Sequence, residues 1–258
     1  MNILDKIVEF KKGEVERLKK EGMGEPAADP GPVRGFRAAV SRGPLDQGPI
    51  RIIAEAKKAS PSKGLLCPDF DPVAIARDYE QAGAAAMSVL TDQEFFKGSL
   101  SYLMEVRQAV GLPLLRKDFI IHHIQIDQAR AWGADAVLLI AAILHRNQMA
   151  EFLAHSRELG LDCLVEVHDE KEAEAALGAG ADLIGINNRN LKDFSVSIET
   201  TVNVMGSIPD DIPIVSESGI RSRADAEYLK GRGVSALLIG ESLVTAKDRR
   251  EKLRQFLV

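Results

Sequence analysis

Along the chain, short runs of apolar residues alternate with longer segments in which apolar positions recur at helical spacing. The runs of strand length are Ile50 to Ala54, Ala86 to Leu90, Pro113 to Leu115, Ala136 to Ile140, Cys163 to Val167, Leu183 to Ile186, Ile212 to Val215 and Ala236 to Ile239. The helix-like segments are Asp71 to Ala82, Ser99 to Val110, Ile124 to Trp132, Asn147 to Leu159, Asp169 to Ala179, Ile198 to Met205, Ser222 to Arg232 and Ser242 to Leu257. The strand-then-helix unit thus occurs eight times. Gly83, Gly111, Gly133, Gly160, Gly180 and Gly233 stand at helix-to-strand returns, where a left-handed residue ends a helix. The strand runs are apolar on both faces, as when helices cover one side and a barrel interior fills the other. Eight such units in this length predict an α/β fold, a (β/α)8 TIM barrel. An open doubly wound sheet would use fewer units and a Gly-x-Gly-x-x-Gly first turn, which is absent.

Ahead of the first strand, Ile3, Leu4, Ile7, Val8, Val15 and Leu18 recur at helical intervals among lysines and glutamates, which predicts an amphipathic helix weakened at Gly13. Gly22 to Pro32 reads as a connector, and Phe36 to Val40 as one or two helical turns before Gly43 and Pro44. We therefore expect one domain over residues 1–258, with a helical extension over 1–45 and the barrel over 46–258.

Composition narrows the class. The chain has 258 residues, 45% hydrophobic and 28% charged, enough for a large core. No run reaches the ~18 apolar residues of a membrane helix, and the first dozen residues are too mixed for a signal peptide. Cys67 and Cys163 have no paired or metal-like spacing, so a reduced, cytoplasmic setting is expected. A net charge of -5 and few aromatics argue against a nucleic-acid partner.

In such a barrel the C-terminal ends of the strands face the mouth, where sites are built. The first run ends in Glu55 and Lys57, which share a face and form either one wall of a polar site or a salt-bridged strand end. The second leads into Thr91, Asp92, Phe95 and Phe96. The third ends in Arg116, Lys117, Asp118 and Phe119, where Lys117 and its charged neighbours cannot all point one way. The fourth offers Leu138, Ile140 and Ala142. The fifth carries Glu166, the sixth ends in Asn187, Asn188 and Arg189, the seventh in Ser216, Glu217, Ser218 and Gly219, and the eighth in Gly240 and Glu241. An acid between two valines, as Glu166 is, needs a partner or a use. Lys57 or Lys117 would supply the cation, and a lysine desolvated among like charges would have its pKa lowered. The alternative is a structural salt-bridge layer. Ser218-Gly219-Ile220 and Gly240-Glu241-Ser242 occupy the two loops where barrels hold phosphate on backbone N–H groups.

Other polar residues read more plainly. His122 and His123 are adjacent, so their side chains diverge, and they read as solvated residues before a helix. His168 is either a ligand or base beside Glu166 or a surface residue opening the next helix. Lys19 and Lys20 and the run Arg249, Arg250, Lys252 and Arg254 read as solvated helix faces. Neither a metal nor a nucleotide motif occurs, so no metal or cofactor is expected.

The sequence also resembles the indole-3-glycerol phosphate synthase family. The resemblance is carried by Ile53 to Gly64 (Ile-Ala-Glu-Ala-Lys-Lys-Ala-Ser-Pro-Ser-Lys-Gly), Ser88 to Asp92, Leu115 to Phe119 (Leu-Arg-Lys-Asp-Phe), Val165 to Val167, Ile184 to Arg189 (Ile-Gly-Ile-Asn-Asn-Arg), Ser216 to Ile220 and Ile239 to Leu243. It implies a substrate, 1-(2-carboxyphenylamino)-1-deoxyribulose 5-phosphate, closed to an indole with loss of carbon dioxide and water. It further implies Lys117 as general acid, Glu166 as general base, and Lys57 holding the substrate carboxylate. Glu55 and Asn187 would position the lysines and sugar hydroxyls, and Glu217 and Arg189 would complete the polar wall. Ser60 and the backbone of Ser218, Gly219, Gly240 and Glu241 would grip the phosphate, with Phe96 and Phe119 sandwiching the ring and the N-terminal helical extension lying over the barrel mouth. The chain departs from the family at His122-His123, where an Asp-Pro pair is usual, and at Ala56 and Lys58, which stand for a bulkier apolar residue and Arg. Rival readings are a phosphoribosylanthranilate isomerase type of barrel, whose cysteine and aspartate are here Glu55 and Asn187, a Schiff-base aldolase using Lys117 or Lys57, and a non-catalytic binding subunit.

Overall fold

The apolar runs pair side by side into a closed parallel barrel in this computed structural model, which describes residues 3–43, 46–190 and 194–258. The strands are β1 (Arg51–Ala56), β2 (Ala86–Leu90), β3 (Leu114–Lys117), β4 (Ala136–Ile140), β5 (Asp162–Val167), β6 (Ile184–Asn187), β7 (Ile214–Glu217) and β8 (Ala236–Ile239). Each pairs with its sequence neighbours, and β1 closes the ring by pairing with both β2 and β8. Strand alternation divides the core in two. Ile53, Leu115, Leu138, Leu164, Val215 and Leu238 fill the interior, whereas Ile52, Leu114, Val137, Val165 and Leu237 pack against the helices.

The outer layer contains α3 (Pro72–Ala82), α4 (Leu100–Ala109), α5 (His123–Ala131), α6 (Arg146–Glu158), α7 (Glu170–Gly178), α8 (Glu199–Met205), α9 (Arg223–Gly231), α10 (Glu241–Val244) and α11 (Arg249–Phe256). The single final helix expected over Ser242 to Leu257 is therefore two. Asp248 starts the second by accepting the Glu251 backbone N–H at 2.9 Å. Gly83 adopts the left-handed return, with φ of 95°, but Gly111 does not, because α4 ends on an extended Val110. Four strands run one or two residues further than their apolar runs: β1 takes in Glu55, β3 Lys117, β6 Asn187 and β7 Glu217. Inward side chains at the mouth need not be apolar, so hydrophobicity fades before the strand does.

The extension splits between the two ends of the barrel. The first helix, α1 (Ile3–Glu21), runs unbroken through Gly13 and lies over the mouth, burying Ile7, Lys11 and Val15 on one stripe. The second, α2 (Phe36–Val40), packs at the opposite end, where Phe36 and Val40 join Ile53, Ala86 and Ala136 at the base of the interior. Pro44, and with it the expected boundary after residue 45, lies outside the described residues.

Candidate active site

The mouth encloses a cavity of about 660 Å3, and every candidate residue lines it: Glu55, Lys57, Ser60, Phe96, Lys117, Phe119, Glu166, Asn187, Arg189, Glu217, Ser218, Gly219, Gly240 and Glu241. Ile3, Leu4 and Ile7 of α1 form part of its wall. Strand alternation explains the sorting at β3. Lys117 points inward, while Arg116 and Asp118 point to the helix layer, where Arg116 donates to the Gln125 carbonyl at 2.9 Å and to Thr91 Oγ1 at 3.1 Å.

At the floor, Lys117 Nζ bridges two carboxylates, 2.8 Å from Glu166 Oε2 and 2.7 Å from Glu217 Oε2. Burial alone would lower the Lys117 pKa, but Glu166 and Glu217 outweigh it and hold the ammonium well above the ordinary lysine value. The lowering expected for a lysine among like charges is thus corrected, because carboxylates lie between the lysines. One cation cannot serve both acids equally. Glu166 Oε1 also accepts from Asn187 Nδ2 at 3.1 Å, and burial of Glu166 is outweighed by Lys117 and His168, which bring it down to about 2. Glu217 has no such help. Its Oε1 is buried without a hydrogen bond, and burial pushes its carboxyl up to about 7 despite Lys117.

Nearer the rim, Lys57 Nζ sits 2.5 Å from Glu55 Oε1, and Ser88 Oγ donates to Glu55 Oε2 at 3.4 Å. Glu55 lies so close to β8 that a Cβ on Gly240 would collide with its carboxylate. After β7, Ser218 and Gly219 take positive φ values of 67° and 80°, and Asn188 Nδ2 donates to the Ser218 carbonyl at 3.0 Å. Ser242 Oγ ties this turn to the one after β8 by donating to the Ile220 carbonyl at 2.9 Å. Lys63, on the loop after β1, pairs with Glu241 at 2.7 Å and holds its carboxyl below the ordinary value. The Phe96 and Phe119 rings stand 6.1 Å apart at 35° to each other. They touch as a tilted pair and form one apolar wall.

One residue at the mouth was not legible as such in the sequence. Lys11 of α1 is buried against Asp92 at 2.9 Å, Asp118 at 2.8 Å and Glu14 at 2.7 Å. Burial would lower its pKa, yet Asp118, Asp92 and Glu14 outweigh it and keep the ammonium charged. The available signal was its spacing: Lys11 falls four residues after Ile7 and four before Val15, inside the apolar stripe. His168 is neither solvated nor free, with Nδ1 3.0 Å from Glu172 Oε2 and Nε2 3.5 Å from Glu166 Oε1. His122 instead caps α5, its Nδ1 accepting the Ile124 N–H at 3.2 Å. Arg249 and Arg250, expected on a solvated face, pair with Asp78 at 3.8 and 2.6 Å.

Fold and mouth together define a class: a (β/α)8-barrel enzyme whose polar groups converge at the C-terminal ends of its strands. A profile of the family described as indole-3-glycerol phosphate synthase matches residues 4–256. The chain is 54% identical over 247 residues to the indole-3-glycerol phosphate synthase of Desulfotalea psychrophila, covering 94% of each. It is 50% identical over 254 residues to that of Chlorobium chlorochromatii, covering 97% of this chain and 98% of that one. The chain belongs to the indole-3-glycerol phosphate synthase family, carboxy-lyases of tryptophan biosynthesis. Among solved structures, 3-hexulose-6-phosphate synthase from Salmonella typhimurium is similar with a TM-score of 0.66 at 12% identity, over 80% of this chain and 96% of that one, a likeness of fold alone.

Proposed function

We propose that the closure of 1-(2-carboxyphenylamino)-1-deoxyribulose 5-phosphate to indole-3-glycerol phosphate runs on Lys117 as general acid and Glu166 as general base. The ring carbon that bears the carboxylate attacks the ribulose carbonyl, and Lys117 gives its proton to the carbonyl oxygen. Carbon dioxide then leaves, returning its electron pair to the ring. In the dehydration Lys117, reprotonated from solvent, protonates the new hydroxyl, which departs as water while Glu166 takes the proton from the neighbouring carbon. The Glu166 charge also favours the iminium formed on closure. Lys57 holds the substrate carboxylate, with Glu55 and Asn187 positioning the lysines and sugar hydroxyls, and Glu217 and Arg189 completing the polar wall. Ser60 and the turns at Ser218-Gly219 and Gly240-Glu241 take the phosphate, and the aromatic ring lies against Phe96 and Phe119.

The observation that carries this reading is the Lys117 ammonium held between Glu166 and Glu217 at 2.8 and 2.7 Å on the cavity floor. A lysine held charged carries the proton a general acid must give and is a poor Schiff-base nucleophile, which weighs against an aldolase. The extension and barrel acting as one domain, a cytoplasmic setting and the absence of a nucleic-acid partner belong to the same reading. They are supported by the buried Lys11 contacts, by Cys67 and Cys163 both buried as free thiols, and by a net charge of -5. No helix among the described residues is long and apolar enough to cross a membrane. Indole fluorescence on incubation with the carboxyphenylamino-deoxyribulose phosphate tests the reaction. No signal at micromolar protein, or a covalent adduct trapped by borohydride, would overturn it.

A further inference from the structure

Glu166 and His168 are two residues apart at the end of β5, yet they open onto different cavities. Glu166 lines the mouth cavity. His168 lines a second cavity of about 880 Å3, beneath α1 and beside the loop after β6. The two side chains meet between these spaces, His168 Nε2 lying 3.5 Å from Glu166 Oε1.

The other ring nitrogen is committed. Nδ1 stands 3.0 Å from Glu172 Oε2, an oxygen fixed by the His168 backbone N–H at 2.8 Å. A carboxylate only accepts, so Nδ1 carries a hydrogen. In the neutral ring Nε2 is then a lone pair facing a carboxylate, and it is a buried nitrogen that makes no hydrogen bond. Buried polar atoms without partners are uncommon and need a reason. A single proton between Nε2 and Oε1 removes the mismatch from either side.

We infer that His168 is a proton relay, carrying the proton that Glu166 takes from the substrate out to solvent through the second cavity while the mouth is filled. The inference rests on the assignment of Glu166 as base. After the dehydration Glu166 is a carboxylic acid. Its O–H bond breaks as the Nε2–H bond forms, leaving a carboxylate and an imidazolium between Glu166 and Glu172. Glu172, which lines the second cavity and stands 3.0 Å from Nδ1, then takes the Nδ1 proton and passes it to water there, the electron pair staying on nitrogen. The ring is poised for this. Burial lowers its proton affinity, but Glu172 and Glu166 outweigh burial and raise it above the ordinary histidine value. Asp169 and Glu172 lie on its own side of the second cavity, α1 presents Asp5, Glu9 and Lys12 across it, and the loop after β6 presents Arg189. From the barrel interior Glu217 also raises the ring's proton affinity.

The test is a steady-state turnover measurement of His168→Asn and Glu166→Gln beside the wild type, at rising imidazole concentration. Asn keeps an amide that can donate to Glu172 but cannot carry a proton. His168→Asn is expected to be slowed at least about tenfold at low buffer, less than the loss at the base itself, with KM unchanged and the rate rising with imidazole. A His168→Asn rate equal to wild type, or slow and unresponsive to imidazole, overturns the relay. Glu166→Gln at near wild-type rate overturns the base assignment beneath it, whereas a dead Glu166→Gln beside an imidazole-blind His168→Asn overturns the relay alone. The wild type supplies a measurement independent of any variant's folding. Its turnover should not rise with imidazole, because its own relay already carries the proton, and an imidazole-accelerated wild type counts against the relay.

Discussion

At the base of the barrel, Asp135 accepts two hydrogen bonds from Arg107 Nη1 at 2.7 Å each, one from the Leu114 N–H at 2.8 Å and one from the Arg34 N–H at 2.6 Å. Arg34 turns its guanidinium to the Val110 and Leu112 carbonyls, both at 2.8 Å, and Arg107 to those of Pro30 and Pro32. Asp162 takes the Arg37 N–H at 2.8 Å in the same way. At the mouth the charges are as deeply buried, but Glu217 Oε1 and His168 Nε2 have no hydrogen-bond partner. Saturated charge fastens the extension to the barrel. At the mouth unsaturated charge is held ready for a molecule that arrives later, although Arg42 Nε and Arg249 Nε, away from it, are unpartnered too.

The contrast can be broken from either end. The largest effect is expected from Asp135→Ala, which leaves the Arg107 guanidinium buried and uncompensated; urea unfolding should show a loss of roughly 3–5 kcal/mol, while the folded fraction keeps its KM. Next, Glu166→Gln or Lys117→Ala should lower turnover by about a hundredfold or more, with Glu166→Gln holding its unfolding free energy to within about 1 kcal/mol. A large stability loss in Glu166→Gln would place the mouth in the same class as the base. Lys11→Met probes a residue that is at the mouth but paired like the base. KM is expected to rise by roughly tenfold, about 1.4 kcal/mol, with a smaller change in kcat.

A further effect concerns pH. The Glu217 carboxyl is raised from its ordinary 4.5 to about 7, so its contribution to stability is whole below about 4.5 and is lost as pH rises through about 7. Glu217→Gln should remove that slope, at most one proton's worth or about 1.4 kcal/mol per pH unit, in urea midpoints compared between pH 5 and 8. Parallel slopes in the two proteins would show that Glu217 is already charged.

Much of this was legible in the chain. Each barrel strand contains a run buried on both sides, so the eightfold pattern stood out, and Glu166 stood out against its valines. Lys117 was separable from Arg116 and Asp118 only in principle, since the alternation that sends it inward needs to know where β3 ends. Lys11 was hidden because a lysine in an amphipathic helix looks solvated unless its distant partners Asp92 and Asp118 are known. The position of α2 was hidden for a related reason: five residues show no face, and only the barrel base shows where Phe36 and Val40 belong. The break before α11 could have been read, since Asp248 with Glu251 is a helix-start signal inside an otherwise helical pattern.

The buried Lys11 also sets an order of events during synthesis. It leaves the ribosome ahead of Asp92 and Asp118, which follow it by about eighty and a hundred residues, a delay of roughly 5–20 s at ordinary translation rates. Until then the Lys11 ammonium has only Glu14 of its own helix to pair with, and the apolar stripe of α1 stays open to water or a chaperone. Helix α1 is therefore made before β2 and β3 but settles after them, and only then does the mouth gain its α1 wall.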